Sequence, residues 1–315
     1  MNILVANNHL DQVGGTENYT FAIIVELLRL GHYVEYYTNK KGFVSDLIEE
    51  LGVKFMNKKK YDIIIANHNT TVKYLYKKGY IIQTCHGKYS ELEQPSEFAN
   101  KYVSITHEVQ NHLKNEGIKS TVINNGIDCN RFNPKKSISN KLTCVLSLCQ
   151  SEEANNFVLK CCQELGVKFF QVEKHIDNKW NIEDYINNAD LVVGIGRSIY
   201  DSMACGRAVI SFDKRIYSSA FGDGYLNKNN IEHSLKYNCS GRGTQKTFDQ
   251  EKFITELKKY NKLDGLFMRN YALTNLNICL IVNQYLTLIP INKLLVIIFR
   301  EKIKLFYVFL KGIIR

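Results

Sequence analysis

Apolar positions set the outline of the chain. Ile3-Leu4-Val5-Ala6 is a short apolar run that reads as a first strand. Phe21, Ile24, Val25 and Leu28 then recur at the spacing of one helix face, and Gly31 stands where that helix would stop. Residues 34–37 read as the next strand and 44–51 as the next helix. Residues 61–66 (YDIIIA) are nearly all apolar, as a parallel strand covered on both faces requires. Strands are expected again at 81–84, 102–105 and 121–123, with helical stretches after or between. A polar, turn-rich segment at 124–139 reads as a linker. The pattern then repeats, with strands at 142–148, 167–172, 191–193 and 208–212 and helices at 156–165, 182–187 and 198–205.

Strands alternating with helices predict doubly wound parallel sheets. The length, 315 residues, suggests two such units. The expected division is a first domain at 1–132, a second at 133–265, a helix crossing back at 266–290 and a tail at 291–315. No charged residue occurs from 270 to 292, although Asn275, Asn277, Asn283 and Gln284 interrupt the apolar residues; beyond Pro290, apolar runs at 294–299 and 305–310 alternate with Lys293, Arg300, Lys302, Lys304, Lys311 and Arg315 against the single acid Glu301. Neither run approaches the roughly 20 apolar residues of a membrane span. The tail reads as a basic, apolar-faced helix on an anionic membrane surface, or else as a helix packed on its own protein.

Composition narrows the partners. The formal charge is +10, which favours anionic ligands such as sugar nucleotides, lipid headgroups or nucleic acid. No zinc, helix-turn-helix or aromatic stacking motif supports nucleic acid. The nine cysteines lack metal-ligand spacing and read as reduced, mostly buried thiols, so no metal site is expected. The first residues have neither a charged start nor a long apolar core like a signal peptide, and a cytoplasmic location, peripheral at most on the membrane, is the expectation.

Three segments could carry chemistry. Gly14-Gly15 lies between the first strand and helix, where backbone can approach a ligand and helix amides attract an anion. His86 follows a strand, at the end of the sheet where such folds bind ligands. Gly194-Ile195-Gly196-Arg197 leads from a strand into a helix that carries Asp201. Amides there could cradle a diphosphate, Arg197 could add a fixed charge, and Asp201 could take ribose hydroxyls. The competing reading is a capping box in which Ser198 and Asp201 merely close the helix start.

Four stretches resemble the family 4 glycosyltransferases: GGTENYTFAIIVELLRLGHYVEYYT, YVSITHEVQNHLKNEGIKSTVINNGIDCNRFNP, VVGIGRSIYDSMACGRAVI and FMRNYALTNLNICLIVNQYLTLI. The resemblance implies a GT-B architecture: two Rossmann-like domains facing across a cleft, with C-terminal helices crossing back. It implies a hexosyltransferase-like enzyme that moves sugar, with retention, from a nucleoside-diphosphate sugar to a glycan or lipid-linked acceptor in cell-surface polysaccharide synthesis. No cofactor beyond the donor is implied. His86 and Arg197 would be catalytic, and Gly14, Gly15, Gly194, Gly196 and Asp201 would bind substrate. The chain departs from the family motif at Val193, where a glutamate is usual, at Asp201, where the second glutamate is shortened, and at 146–153, which is acidic where cations are usual. These losses leave a non-catalytic binding or scaffold protein as the alternative.

Overall fold

A computed structural model describes residues 1–172, 180–215 and 220–313, the last stretch with side chains up to 303 except that of 301. The tail cations beyond 303 therefore lie outside the described side chains. Strands β1 (Asn2–Ala6), β2 (Tyr33–Tyr37), β3 (Lys54–Phe55), β4 (Ile63–Ala66), β5 (Tyr80–Cys85), β6 (Lys101–Ser104) and β7 (Ser120–Val122) form one sheet in the order β3-β2-β1-β4-β5-β6-β7. Every pairing in it is parallel. Helices α1 (Gly15–Arg29), α2 (Phe43–Glu50), α3 (Asn69–Leu75) and α4 (His107–Asn115) connect the strands. All four residues of β4 are buried, because helices cover both faces of the sheet.

The second sheet has the order β12-β11-β10-β8-β9, from β8 (Cys144–Ser147), β9 (Lys168–Gln171), β10 (Leu191–Gly194), β11 (Ala208–Phe212) and β12 (Gly222–Leu226). Only β12 runs antiparallel. Its helices are α5 (Glu152–Glu164), α6 (Ile182–Ile186), α7 (Arg197–Ala204), α8 (Ile231–Leu235), α9 (Gln250–Lys258) and α10 (Lys262–Tyr271). Strand order reverses between β1 and β4 in the first sheet and between β8 and β10 in the second. Such switch points open a crevice at the carboxyl ends of the strands.

The buried face of α1 differs from the expected stripe. Tyr19, Ala22, Ile23, Glu26 and Leu27 are buried, whereas Phe21, Val25 and Leu28 are only half-buried. The helix is covered on two sides. Phe21 meets Trp180 edge-on at 5.0 Å between ring centres, and Glu26 accepts from the Cys279 thiol at 3.3 Å. A period-3.6 reading finds one stripe and misses a second neighbour.

The chain passes twice between the sheets. After a π-helical turn at Ala272–Leu276, helix α11 (Ile278–Thr287) leaves the second sheet and packs on α1. Ile278, Ile281, Val282 and Tyr285 join the core of the first sheet. Ile127, Cys129 and Phe132, which precede the boundary expected at 132, pack with Met268, Ala272 and Leu276 in the core of the second. At the crossing the two passes bond to each other: Ile127 N–H donates to the Leu276 carbonyl and Ile278 N–H to the Ile127 carbonyl, both at 2.8 Å. A Cβ on Gly126 would stand 2.6 Å from Ile278 Cδ1 and 3.1 Å from Ile281 Cβ.

Helix α12 (Ile291–Ile313) follows and docks by one stripe. Arg300 makes a bidentate pair with Asp62 at 2.8 and 2.7 Å, Ile297 is buried, and the Lys293 ammonium lies 5.5 Å from the Tyr80 ring centre. Two of the tail cations thus face the protein. No single described helix is long and apolar enough to cross a membrane; the bent pair Ile278–Thr287 and Ile291–Arg300 passes by composition only, and its first half is core.

The tight crossing yields a stability prediction. Gly126→Ala should destabilise the chain by about 1–3 kcal/mol through overpacking against α11. Urea unfolding followed by circular dichroism measures it, and an unchanged midpoint would contradict the close approach.

Candidate functional site

A cleft of about 760 Å³ opens between the carboxyl ends of the two sheets. One wall begins at the turn after β1. Gly14 is the N-cap of α1 with extended backbone and provides no side-chain cap; its carbonyl accepts from Asn18 Nδ2 at 2.9 Å. Gly14 thus offers the first amides of α1 no N-cap side chain, at a helix end that attracts anions, while the Glu17 carboxylate of the first turn folds back against Gly14. A Cβ on Gly15 would meet nothing within 4 Å, so packing within the protein does not demand glycine there. Open space in front of a helix start is room for a ligand.

His86 follows β5 on the same wall, and a saturated hydrogen-bond chain fixes its tautomer. The Thr20 hydroxyl donates to the Thr16 carbonyl at 2.7 Å, so it can only accept from Asn67 Nδ2 at 2.8 Å and Asn7 Nδ2 at 3.1 Å. That turns Asn67 Oδ1 toward His86 Nε2 at 3.1 Å, and the imidazole proton is assigned to Nε2. Nδ1 is left as an acceptor with no hydrogen-bond partner among the described residues. Burial, aided by the positive fields of His68 and Arg197, pushes the His86 pKa down to about 3. A neutral ring with a bare lone pair accepts from a hydroxyl and repels a phosphate oxygen.

The opposite wall is the turn from β10 into α7. Gly196 is the N-cap at φ +60°, ψ −126°, a conformation that only glycine adopts easily. A Cβ on Gly194 would come within 3.0 Å of Ser198 Cβ. Gly194 is thus a packing glycine, and Gly196 a conformational one that lines the cleft. The competing capping box does not form: α7 starts at Arg197, which puts Ser198 inside the first turn, and the Ser198 carbonyl accepts from the Ser202 hydroxyl at 2.7 Å.

Arg197 and Asp201, which the sequence suggests as separate phosphate and ribose ligands, are bonded to each other. Arg197 Nε donates to Asp201 Oδ1 at 3.0 Å, and its Nη1 donates to the Gly126 carbonyl at 3.1 Å. Four residues apart on one helix, the two side chains meet by geometry alone. Burial raises the Asp201 pKa, and the Arg197 charge opposes that rise. Arg197 therefore ties α7 to the crossing segment while still lining the cleft.

Several lining residues escape sequence reasoning. Arg215 comes from the segment after β11 and pairs with buried Asp213 at 2.6 Å. Asp213 also accepts from the Gln150 and Ser151 amides, at 3.0 and 3.3 Å, and so ties Arg215 to the turn after β8. Lys88, Glu17, Glu93, Asn238 and Arg242 also line the cleft. Asn238 and Cys239 both have positive φ, +58° and +47°, and buried Asp223 braces the loop by accepting from the Gly241 amide at 3.2 Å. Burial and the nearby Glu17 charge raise the Glu93 pKa. Each of the lining cations Lys88, Arg197, Arg215 and Arg242 has a carboxylate partner. For Lys88 and Arg242 it is the same one, Glu108 on α4, so this cluster joins the two domains across the mouth of the cleft. Beside it lies a second cavity of about 420 Å³, with Tyr89, Phe221 and Tyr237 as rings and Asn111, Asn115 and Gln245 as amides. Among the described residues no group of three or more His, Cys, Asp or Glu is arranged to hold a metal ion.

No protein-family model matches the chain, and no curated protein does. Solved structures match across nearly the whole length. A crystal structure of Anabaena Alr3699/HepE in complex with UDP and glucose aligns at TM-score 0.61 with 15% identity, covering 91% of this chain and 98% of that one. A glycosyltransferase from Rickettsia africae ESF-5 aligns at 0.59 with 13% identity, covering 91% and 97%. MurG of Acinetobacter baumannii aligns at 0.53 with 9% identity, covering 91% and 99%. The chain has the GT-B fold: two Rossmann-like domains face each other across a cleft, and a C-terminal helix returns to the first.

The histidines make the site sensitive to acid. His68, buried at the start of α3 and accepting the Asn8 amide on Nδ1 at 3.1 Å, is also depressed, to about 4. The unfolded chain, with ordinary values near 6.5, takes up these protons first. Stability is therefore full above pH 6.5 and falls as pH drops toward 4, by up to about 1.4 kcal/mol per pH unit for each histidine that stays neutral. Denaturation at pH 7, 6 and 5 should show this slope, reduced in His86→Gln; an unaltered slope would place the neutral imidazole elsewhere.

Proposed function

We propose that the protein is a retaining glycosyltransferase that moves a sugar from a nucleoside-diphosphate sugar to a glycan or lipid-linked acceptor, with cell-surface polysaccharide synthesis as its setting. The observation that carries this reading is the pair of helix starts, α1 behind Gly14-Gly15 and α7 behind Gly196, that line one interdomain cleft in a GT-B fold. Amides at both ends would stabilise a diphosphate as its charge grows on departure. That HepE was crystallised with UDP and glucose supports a donor of the same class.

The donor diphosphate would lie against Gly196, with Arg197 and Arg215 at its flanks and its sugar turned toward His86 Nδ1. Transfer breaks the bond between the anomeric carbon and the phosphate oxygen and forms a bond from that carbon to an acceptor hydroxyl. The hydroxyl proton passes to the departing phosphate oxygen, which is how a retaining reaction proceeds without a protein base. The adjoining cavity of rings and amides suits a carbohydrate acceptor, since rings cover the apolar sugar face and amides reach its hydroxyls.

Pairing of all four lining cations with carboxylates favours a second reading, a GT-B protein that binds without turning over. Titration calorimetry with a panel of sugar nucleotides, together with release of nucleoside diphosphate, separates the two. The first reading expects binding and slow release without acceptor. Binding without release by any donor, with or without glycan acceptors, would support the second. Under the first reading, Arg197→Ala should lower turnover by on the order of a hundredfold; near-wild-type activity would remove Arg197 from the machinery. Retention is read from the anomeric configuration of the product by NMR.

A further inference from the structure

We propose that the outward face of α12, with the lysine-rich loops beside it, docks on the surface of an anionic lipid bilayer. The stripe Lys293, Ile297 and Arg300 faces the first domain. The rest of the described helix presents Ile291, Leu294, Leu295, Val296, Ile298, Phe299 and Ile303 outward, and Ile291 and Phe299 are 75% and 67% exposed. A contiguous surface of this kind marks an interaction site. Because Arg300 and Lys293 anchor at Asp62 and Tyr80, the helix lies against the starting edges of β4 and β5.

Charge selects the occupant. The loops that enter β4 and β5 carry Lys58, Lys59, Lys60, Lys77 and Lys78, and their only acid, Asp62, is neutralised by Arg300. Exposed Lys101 begins the neighbouring β6, and exposed Lys302 extends the helix. Two exposed tyrosines complete the edge, with the Lys58 ammonium 4.4 Å from the Tyr33 ring centre and that of Lys77 5.0 Å from Tyr76. Aliphatic side chains surrounded by lysines and tyrosines match an acyl–headgroup boundary. No single described helix is long and apolar enough to cross a membrane, and the proposed contact is parallel to the surface.

Vesicle flotation of the full chain tests this without recourse to sugar transfer, so it can fail while the catalytic reading stands, and the reverse. The chain should float with phosphatidylglycerol-rich vesicles, weakly with phosphatidylcholine vesicles, and less as salt is raised. The double variant Leu295→Asp/Phe299→Asp alters two exposed positions and should keep its thermal unfolding profile while losing roughly a hundredfold in partition. Lys59→Glu/Lys60→Glu/Lys77→Glu should lose binding to the anionic vesicles alone. Absence of flotation, or equal flotation of wild type and the apolar double variant, would overturn the proposal. A concentration-dependent dimer that the double variant abolishes, without vesicle binding, would overturn it too and assign the face to a second copy of the chain.

Discussion

The doubled crossing of the chain between the two sheets is the constraint on which the site depends. Neither pass could hold alone, because each has backbone groups that need partners away from water. They satisfy one another through the Ile127 bonds to Leu276 and Ile278. Gly126 lets α11 approach closely enough for this, and the Arg197 guanidinium donates to Asp201 and to the Gly126 carbonyl. Farther along α11, the Tyr285 hydroxyl bonds Tyr19 on α1 at 3.0 Å and Thr84 on β5 at 2.8 Å. One helix therefore sets the relation between the glycine turn, the strand that carries His86 and the turn into α7.

The electrostatics of the cleft follow from the same arrangement. A crevice bounded by two helix starts carries partial positive charge without any side chain. Adding four unpaired cations would leave the empty cleft strongly charged and costly to desolvate. Carboxylates at 108, 201 and 213 hold those cations in place and moderate their field. Preorganisation of this kind favours charge that develops during reaction over charge that merely binds. It also explains why a neutral His86 belongs here: one more cation between two helix starts and Arg197 would be opposed by burial and by its neighbours.

Much of the fold was legible in the sequence, because parallel strands covered on both faces leave apolar runs and glycines punctuate their ends. The strand at Ile63–Ala66 and the turns at Gly14-Gly15 and Gly194–Gly196 were visible in this way. The site was less so. Spacing brought Arg197 and Asp201 to one cleft but not to each other, although residues four apart on a helix are neighbours and the ion pair could have been read from that rule. Arg215 stands in a polar segment after β11 with no motif, and only tertiary structure brings it beside the turn at 150–151. The loop at Asn238 and Cys239 takes positive φ at two positions that are not glycine, and no motif in the sequence marked it as part of the cleft.

The tail shows how tertiary structure redistributes a sequence pattern. Six basic residues among apolar runs read as one cationic amphipathic helix, yet two of the described cations point inward. Arg300 is taken by Asp62, the carboxylate that also accepts the Asn2 amide at the start of β1. The helix in consequence gathers against an edge already rich in lysine. Parallel sheets have polarity: ligands collect where strands end, and the starting edge is free for other contacts. The first sheet uses both ends, with the cleft at one and α12 at the other, so occupation of the outward face of α12 leaves the mouth of the cleft unobstructed.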